Sequence, residues 1–100
     1  MNGKTERMRI NNLSSISNRE MIAEIARINA REDFEAWTCD KNMLLDERVQ
    51  IIILDYIKRV FGIMKEYFDF DNEAMAEKIY TETYINTLYE RVKEDEEIDN

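Results

Sequence analysis

The sequence predicts an all-α protein: a small bundle of four to five helices around a long central helix at about residues 41–69. Three features carry this. The 100 residues include no Pro and only two Gly, Gly3 and Gly62, whereas sandwiches and barrels need frequent turn residues. Apolar residues recur at helical spacing through most of the chain. The stretch from Leu45 to Phe70 holds one helical phase for about seven turns, far longer than a strand.

On a helix advancing about 100° per residue, Leu45, Val49, Ile52, Ile53, Leu54, Tyr56, Ile57, Val60, Phe61, Ile63, Met64, Tyr67 and Phe68 fall within an arc of about 200°. A surface helix usually shows an apolar stripe about half as wide. The expectation is a helix covered from two sides. Ile51 and Gly62 interrupt the polar side; they mark either ordinary surface exposure or a face where another helix approaches.

Residues 1–15 read as a mildly basic, flexible arm with Lys4, Arg7 and Arg9. A short strand at Met8-Arg9-Ile10 is the alternative, and it would suit a DNA reader that inserts a strand into the major groove. The helical domain proper is expected over 16–93. Ser17 and Glu20 form a capping box, with Ile16 and Met21 as a hydrophobic staple. Met21, Ile22, Ile25, Ala26 and Ile28 make one stripe. Ala30, Phe34 and Trp37 fall out of that phase, so the helix breaks near Ala30–Asp33 or shows a second face. A break there would let Asp33 cap a short helix from Phe34 to about Thr38. Trp37 reads as a core anchor, and Asp40 as the cap of the central helix.

After the central helix, Asp69, Asp71 and Glu73 have the spacing of the first three ligands of a calcium loop. Ala74 and Tyr80 stand where that loop needs Gly and Glu, so no calcium site is expected. Asp71 reads instead as a helix cap, with Phe70 and Met75 as its staple. Met75, Ala76, Ile79 and Tyr80 form one face. Tyr84, Ile85, Leu88, Tyr89 and Val92 form another, so the segment either kinks near Thr81–Thr83 or packs two different neighbours, and β-branched Thr favours the kink. Helix is expected to Lys93, then a mobile acidic tail over 94–100, because carboxylates at a helix C-terminus oppose its dipole.

Charge is polarised. Residues 1–68 hold 11 basic and 11 acidic side chains; residues 69–100 hold Lys78, Arg91 and Lys93 against 11 acids, which accounts for the net charge of −8. The chain has no His, one Cys, and no phosphate-binding glycine loop, so zinc sites and Cys–His nucleophiles are excluded. No cofactor, metal or catalytic residue is expected, and the chain reads as a non-enzyme. No apolar run reaches 18 residues, no secretory signal is recognisable, and a lone Cys39 suits a reducing compartment, so the expectation is a cytoplasmic protein without a membrane span. The acidic balance disfavours direct nucleic-acid binding.

The remaining function class is binding to a protein with a basic surface, as an inhibitor or adaptor that occludes it. The residues expected to carry this are Glu82, Tyr84, Glu90, Glu94, Asp95, Glu96 and Glu97, with carboxylates steering the partner and the tyrosine supplying contact area. Two alternatives stand beside it. One is a structural homo-oligomer, in which a homodimer completes the wide apolar arc. The other is a DNA-binding regulator acting through Arg7 and Arg9.

Overall fold

Two short strands each lead into a long helix, and the two strand–helix units lie side by side. The computed structural model describes residues 8–10, 12, 13 and 15–99, and their side chains except those of residues 8, 16 and 97–99. The order is β1 (Met8–Ile10), α1 (Ile16–Ala36), α2 (Lys41–Leu45), α3 (Glu47–Tyr67), β2 (Phe68–Phe70) and α4 (Glu73–Asp99). Four helices and one two-stranded ladder are thus present among the described residues, and the protein is a small all-α bundle.

β1 and β2 pair in parallel, with Met8 opposite Phe68, Arg9 opposite Asp69 and Ile10 opposite Phe70. A ladder this short is held by what it buries: Ile10, Leu13 and Phe70 all join the core. The Asp71 N–H donates to the Ile10 carbonyl at 2.9 Å. The Asp71 carboxylate accepts from the backbone of Asn12 and Leu13. The segment expected as a flexible arm is therefore part of the fold from Met8 onward; residues 1–7 lie outside the described residues. The strand's partner is within the same chain, and Arg9 forms an ion pair with Asp69 at 3.1 Å. Arg7 lies outside the described residues.

α1 and α4 run in the same direction and share the most extensive helix contact in the fold. The Asn29 amide donates to the Tyr80 hydroxyl (2.8 Å), the Tyr84 hydroxyl donates to Asp33 (2.5 Å), and Arg91 reaches Glu35 (2.5 Å). Residue numbers rise together along the pair. Ile22, Ala23, Ala26, Ala30 and Phe34 form the buried face of α1. Of the expected stripe, Ile22 and Ala26 lie on this face, Met21 and Ile25 are half-buried at its side, and Ile28 is exposed. α1 starts at Ile16 after Ser15, whose side chain makes no capping bond, so the capping box at Ser17 does not form. Nor does the helix break at Ala30–Asp33: Asp33 stays inside α1 and serves Tyr84.

The central helix is broken once. Asp46 is extended (φ −77, ψ 118), which ends α2 and caps α3 by accepting from the Arg48 N–H at 2.9 Å. Asp40 does cap, but caps α2, accepting from the Met43 N–H. α3 then runs antiparallel to α4: Lys65 lies near Glu73 and Phe61 near Tyr80. Ile53, Ile57, Phe61 and Met64 are buried, whereas Ile51, Ile52, Leu54, Ile63 and Tyr67 are exposed. The wide arc is covered from one side only.

Asn72, not Asp71, caps α4, its side-chain oxygen accepting from the Met75 N–H at 3.1 Å. α4 is one helix of 27 residues through Asp99, with no kink at Thr81–Thr83 and no end at Lys93. Its buried apolar residues Ala76, Tyr80, Tyr84, Leu88 and Val92 are spaced by four. Each step of four advances about 40° around a 3.6-residue helix. The buried line therefore winds between two sets of neighbours: Tyr80 already meets both Asn29 of α1 and Phe61 of α3, and Val92 lies beside both Phe34 of α1 and Leu44 of α2. Two neighbours, rather than a kink, explain the two faces.

Gly62 sits in the middle of α3, and a Cβ built there meets nothing within 4 Å. No helix of the chain approaches it. Replacing Gly62 with Ala is expected to raise stability by about 0.5–1 kcal/mol, since glycine loses the most backbone freedom in a helix interior. Urea denaturation followed by circular dichroism checks this. A loss of stability would mean that a neighbour closes on this position.

Candidate functional site

The break at Asp46 opens a groove between α2, α3 and the second half of α4. Ending α2 leaves the Leu44 carbonyl without a helical partner. It accepts instead from the Gln50 amide at 2.8 Å and from the Tyr89 hydroxyl at 3.3 Å. These bonds hold α2 across the other two helices and fix the Tyr89 ring at the surface. On one side of Leu44 and Tyr89 lies a cavity of about 140 Å³, lined also by Ile53, Leu54, Ile85 and Leu88. On the other lies one of about 200 Å³, reached by Leu45, Val92, Lys41, Lys93 and Glu96. Leu45, Leu54 and Tyr89 are exposed along its length. Its floor is apolar; Gln50 stands in the wall at one end, and Lys41, Lys93 and Glu96 at the other.

Glu96 lines this groove together with Lys41 and Lys93, and Asp95 and Glu96 line the adjoining recess beside Asp40; Glu90 and Glu94 lie farther round α4, about 100° and about 140° from Tyr89. Glu90, Glu94 and Glu96 are exposed and Asp95 is half-buried. Arg91 takes up part of their charge: it bridges Glu94 at 3.0 Å and Asp95 at 3.5 Å, besides Glu35 of α1. Glu35 and Glu94 together raise the Arg91 guanidinium above its ordinary value, and its plane lies 4.9 Å over the Phe34 ring. Lys41 approaches Glu96 at 3.6 Å. The carboxylates of these pairs are all about half exposed or more, though Arg91 itself is half-buried, and ion pairs screened by solvent contribute little to stability. They remain available to a competing cation.

The residues expected from the sequence are thus only partly brought together. Glu90, Glu94, Asp95 and Glu96 fall within two turns of α4. Glu82 is about 18 Å from Glu94 along the helix axis, in a different surface recess beside Arg19 and Arg27. The Glu97 side chain lies outside the described residues. Tyr84 is a correction: it is fully buried between α1 and α4 and presents nothing to a partner. Burial first, and the Asp33 carboxylate next, push its phenol far above the ordinary value. Tyr89, five residues on, is the exposed tyrosine of α4. Leu44 and Leu45 were not expected as site residues. The signal that points to them is an apolar pair just before Asp46, a residue that readily caps a helix and so readily ends the preceding one.

Cys39 is buried, and that burial, with the Asp40 carboxylate beside it, pushes its thiol above the ordinary value. It is a packing residue rather than a nucleophile. Among the described residues no three metal-ligating side chains cluster, and no helix is long and apolar enough to cross a membrane. No protein-family model, curated protein or solved structure matches this chain.

Proposed function

We propose that the chain is a protein-binding module that receives a segment of a basic partner in the groove between α2, α3 and α4. The observation that carries this is the juxtaposition of an apolar floor at Leu44, Leu45, Leu54 and Tyr89 with the Glu96 carboxylate at its edge, with Glu90 and Glu94 on the same end of α4 adding to the negative field around it. An apolar side chain of the partner enters the groove, and its Lys or Arg residues meet the rim. Apolar anchors supply affinity, and rim charges set the rate of encounter. Occlusion of the partner's basic surface makes the module an inhibitor or adaptor rather than an enzyme.

The test uses affinity capture of the tagged chain from its native lysate at low and high salt, followed by binding kinetics with the captured protein. Substituting Glu90, Glu94 and Glu96 together with Gln is expected to lower the association rate about 10-fold or more at low salt. Replacing Tyr89 with Ala is expected to speed dissociation instead. A captured partner that ignores both salt and the triple variant would remove the charge-led reading.

A further inference from the structure

The face of α3 turned away from the groove carries a second, independent pattern. Val49, Ile52, Tyr56, Val60, Ile63 and Tyr67 are spaced 3-4-4-3-4, one continuous stripe down the helix. Val49, Tyr56 and Val60 rest half-buried against the core. Ile52, Ile63 and Tyr67 are 65%, 56% and 58% exposed. The stripe is nearly palindromic: it reads the same from either end about a centre near residue 58. Turned end for end, Tyr56 faces Val60, Ile52 faces Ile63, and Val49 faces Tyr67.

The solvent-side edge of the stripe carries Arg48, Asp55, Arg59 and Glu66, all within about 40° of one another around the helix. The charges alternate in sign, and their positions are also symmetric, about residue 57. Reversal sets Arg48 against Glu66 and Asp55 against Arg59. In an antiparallel helix pair related by a two-fold axis, the same edge of each helix meets its counterpart. A parallel pair would instead set this charged edge beside the apolar edge that already faces the chain's own core. Within one chain Arg59 bridges Asp55 at 3.0 Å and Arg48 bridges Asp46 at 3.1 Å. Both arginines are largely exposed and can reach across. The Asp55–Arg59 pairs of two chains would then form a square of alternating charge at the centre.

We infer that α3 is a self-pairing surface, on which the α3 helix of a second copy of this chain docks antiparallel with its centre near Lys58. The occupant is set by self-complementarity of both the apolar stripe and the charged edge. A 21-residue helix is about 31 Å long, a contact expected at the weaker end of dimer interfaces. The groove beyond Leu54 lies on nearly the opposite side of α3 and stays open in such a dimer.

Sedimentation equilibrium of the full chain over a range of concentrations tests this with two charge-edge variants. One carries Arg48→Glu and Arg59→Glu; the other carries Asp55→Lys and Glu66→Lys. All four positions are exposed, so both variants fold, which far-ultraviolet circular dichroism verifies. The expected result is a wild-type dimer, at least a 10-fold weaker self-association of each variant alone, and recovery of a 1:1 heterodimer on mixing. Cross-linking then reads the direction. A mixture of Arg48→Cys and Glu66→Cys chains should couple to each other, and Arg48→Cys chains should not couple among themselves. A wild-type monomer at all concentrations, charge-edge variants that dimerise like wild type, or an Arg48→Cys chain that couples to itself would each overturn the inference. Binding of a basic partner in the groove is read separately and stands or falls on its own.

Discussion

Replacing Tyr84 with Ala is expected to destabilise the protein by about 3–5 kcal/mol, the range for deleting a large buried aromatic side chain. A domain of this size has only about 5–15 kcal/mol in total, so the variant should sit near the edge of folding. The ring is fully buried, stacks against Tyr80 at 6.0 Å and lies 6.4 Å from Trp37. Its loss would open a void where α1, α3 and α4 meet. Tyr84→Phe keeps the ring and removes only the 2.5 Å bond to Asp33. Asp33 is half-buried and water can replace the donor, so about 1–2 kcal/mol is expected, near the low end for a hydrogen bond to a charged group. Urea titration measures both. Equal losses for the two variants would contradict a core role for the ring.

The same residue predicts an alkaline dependence. The phenol's value is raised on folding, so above the unfolded value near 10 the folded chain holds a proton that the unfolded chain releases. Stability conferred by Tyr84 is therefore intact below about pH 10 and declines above it. The slope is about 1.4 kcal/mol per pH unit for each proton so held. Tyr84→Phe should flatten that decline. A decline of unchanged slope would assign the alkaline loss to other groups.

Much of this fold was legible in the sequence, and what was not has physical reasons. Helix class followed from composition and period, because Pro and Gly are scarce and the apolar spacing of α3 is long. Which face of α1 would be buried followed only in part: Ile22 and Ala26 of the expected stripe are fully buried, while Ile28 is exposed and Ala30 and Phe34, read as out of phase, join the core. Large side chains at Met21, Ile25 and Ile28 dominate a hydrophobicity reading, yet α4 approaches the side where Ala23, Ala26 and Ala30 leave room. Contact between helix backbones is governed by side-chain size as well as by apolarity. The two faces of α4 resembled a kink because one helix with two neighbours and one bent helix give the same apolar pattern. The break at Asp46 did leave a signal that the long apolar phase masked: Asp46 falls about 100° on from Leu45, in the middle of the apolar arc beside Ile53, Ile57 and Met64, where a carboxylate interrupts the stripe. For the site, the concentration of acid in the last third was plain. Its pairing with Leu44, Leu45 and Tyr89 depends on the angle between α2 and α4, which no local pattern encodes.

Enlarging the α1–α4 contact gives the second large expected effect. Ala30→Leu should cost about 1–3 kcal/mol, because Ala30 is fully buried and added methylenes must displace packed neighbours. On helix propensity alone Leu is nearly as good as Ala, so any substantial loss reports crowding between helices and not weaker helix formation. Ala36, exposed at the last residue of α1, is the internal control: Ala36→Leu should change stability by less than about 0.5 kcal/mol. Thermal and urea unfolding of both variants decide between two accounts of α1. If Ala30→Leu is destabilising and Ala36→Leu is neutral, the small-residue face is the one that α4 occupies. If Ala30→Leu is tolerated while Ile25→Ala and Ile28→Ala are costly, the helix is buried by its larger side chains, as the hydrophobic pattern alone would have it.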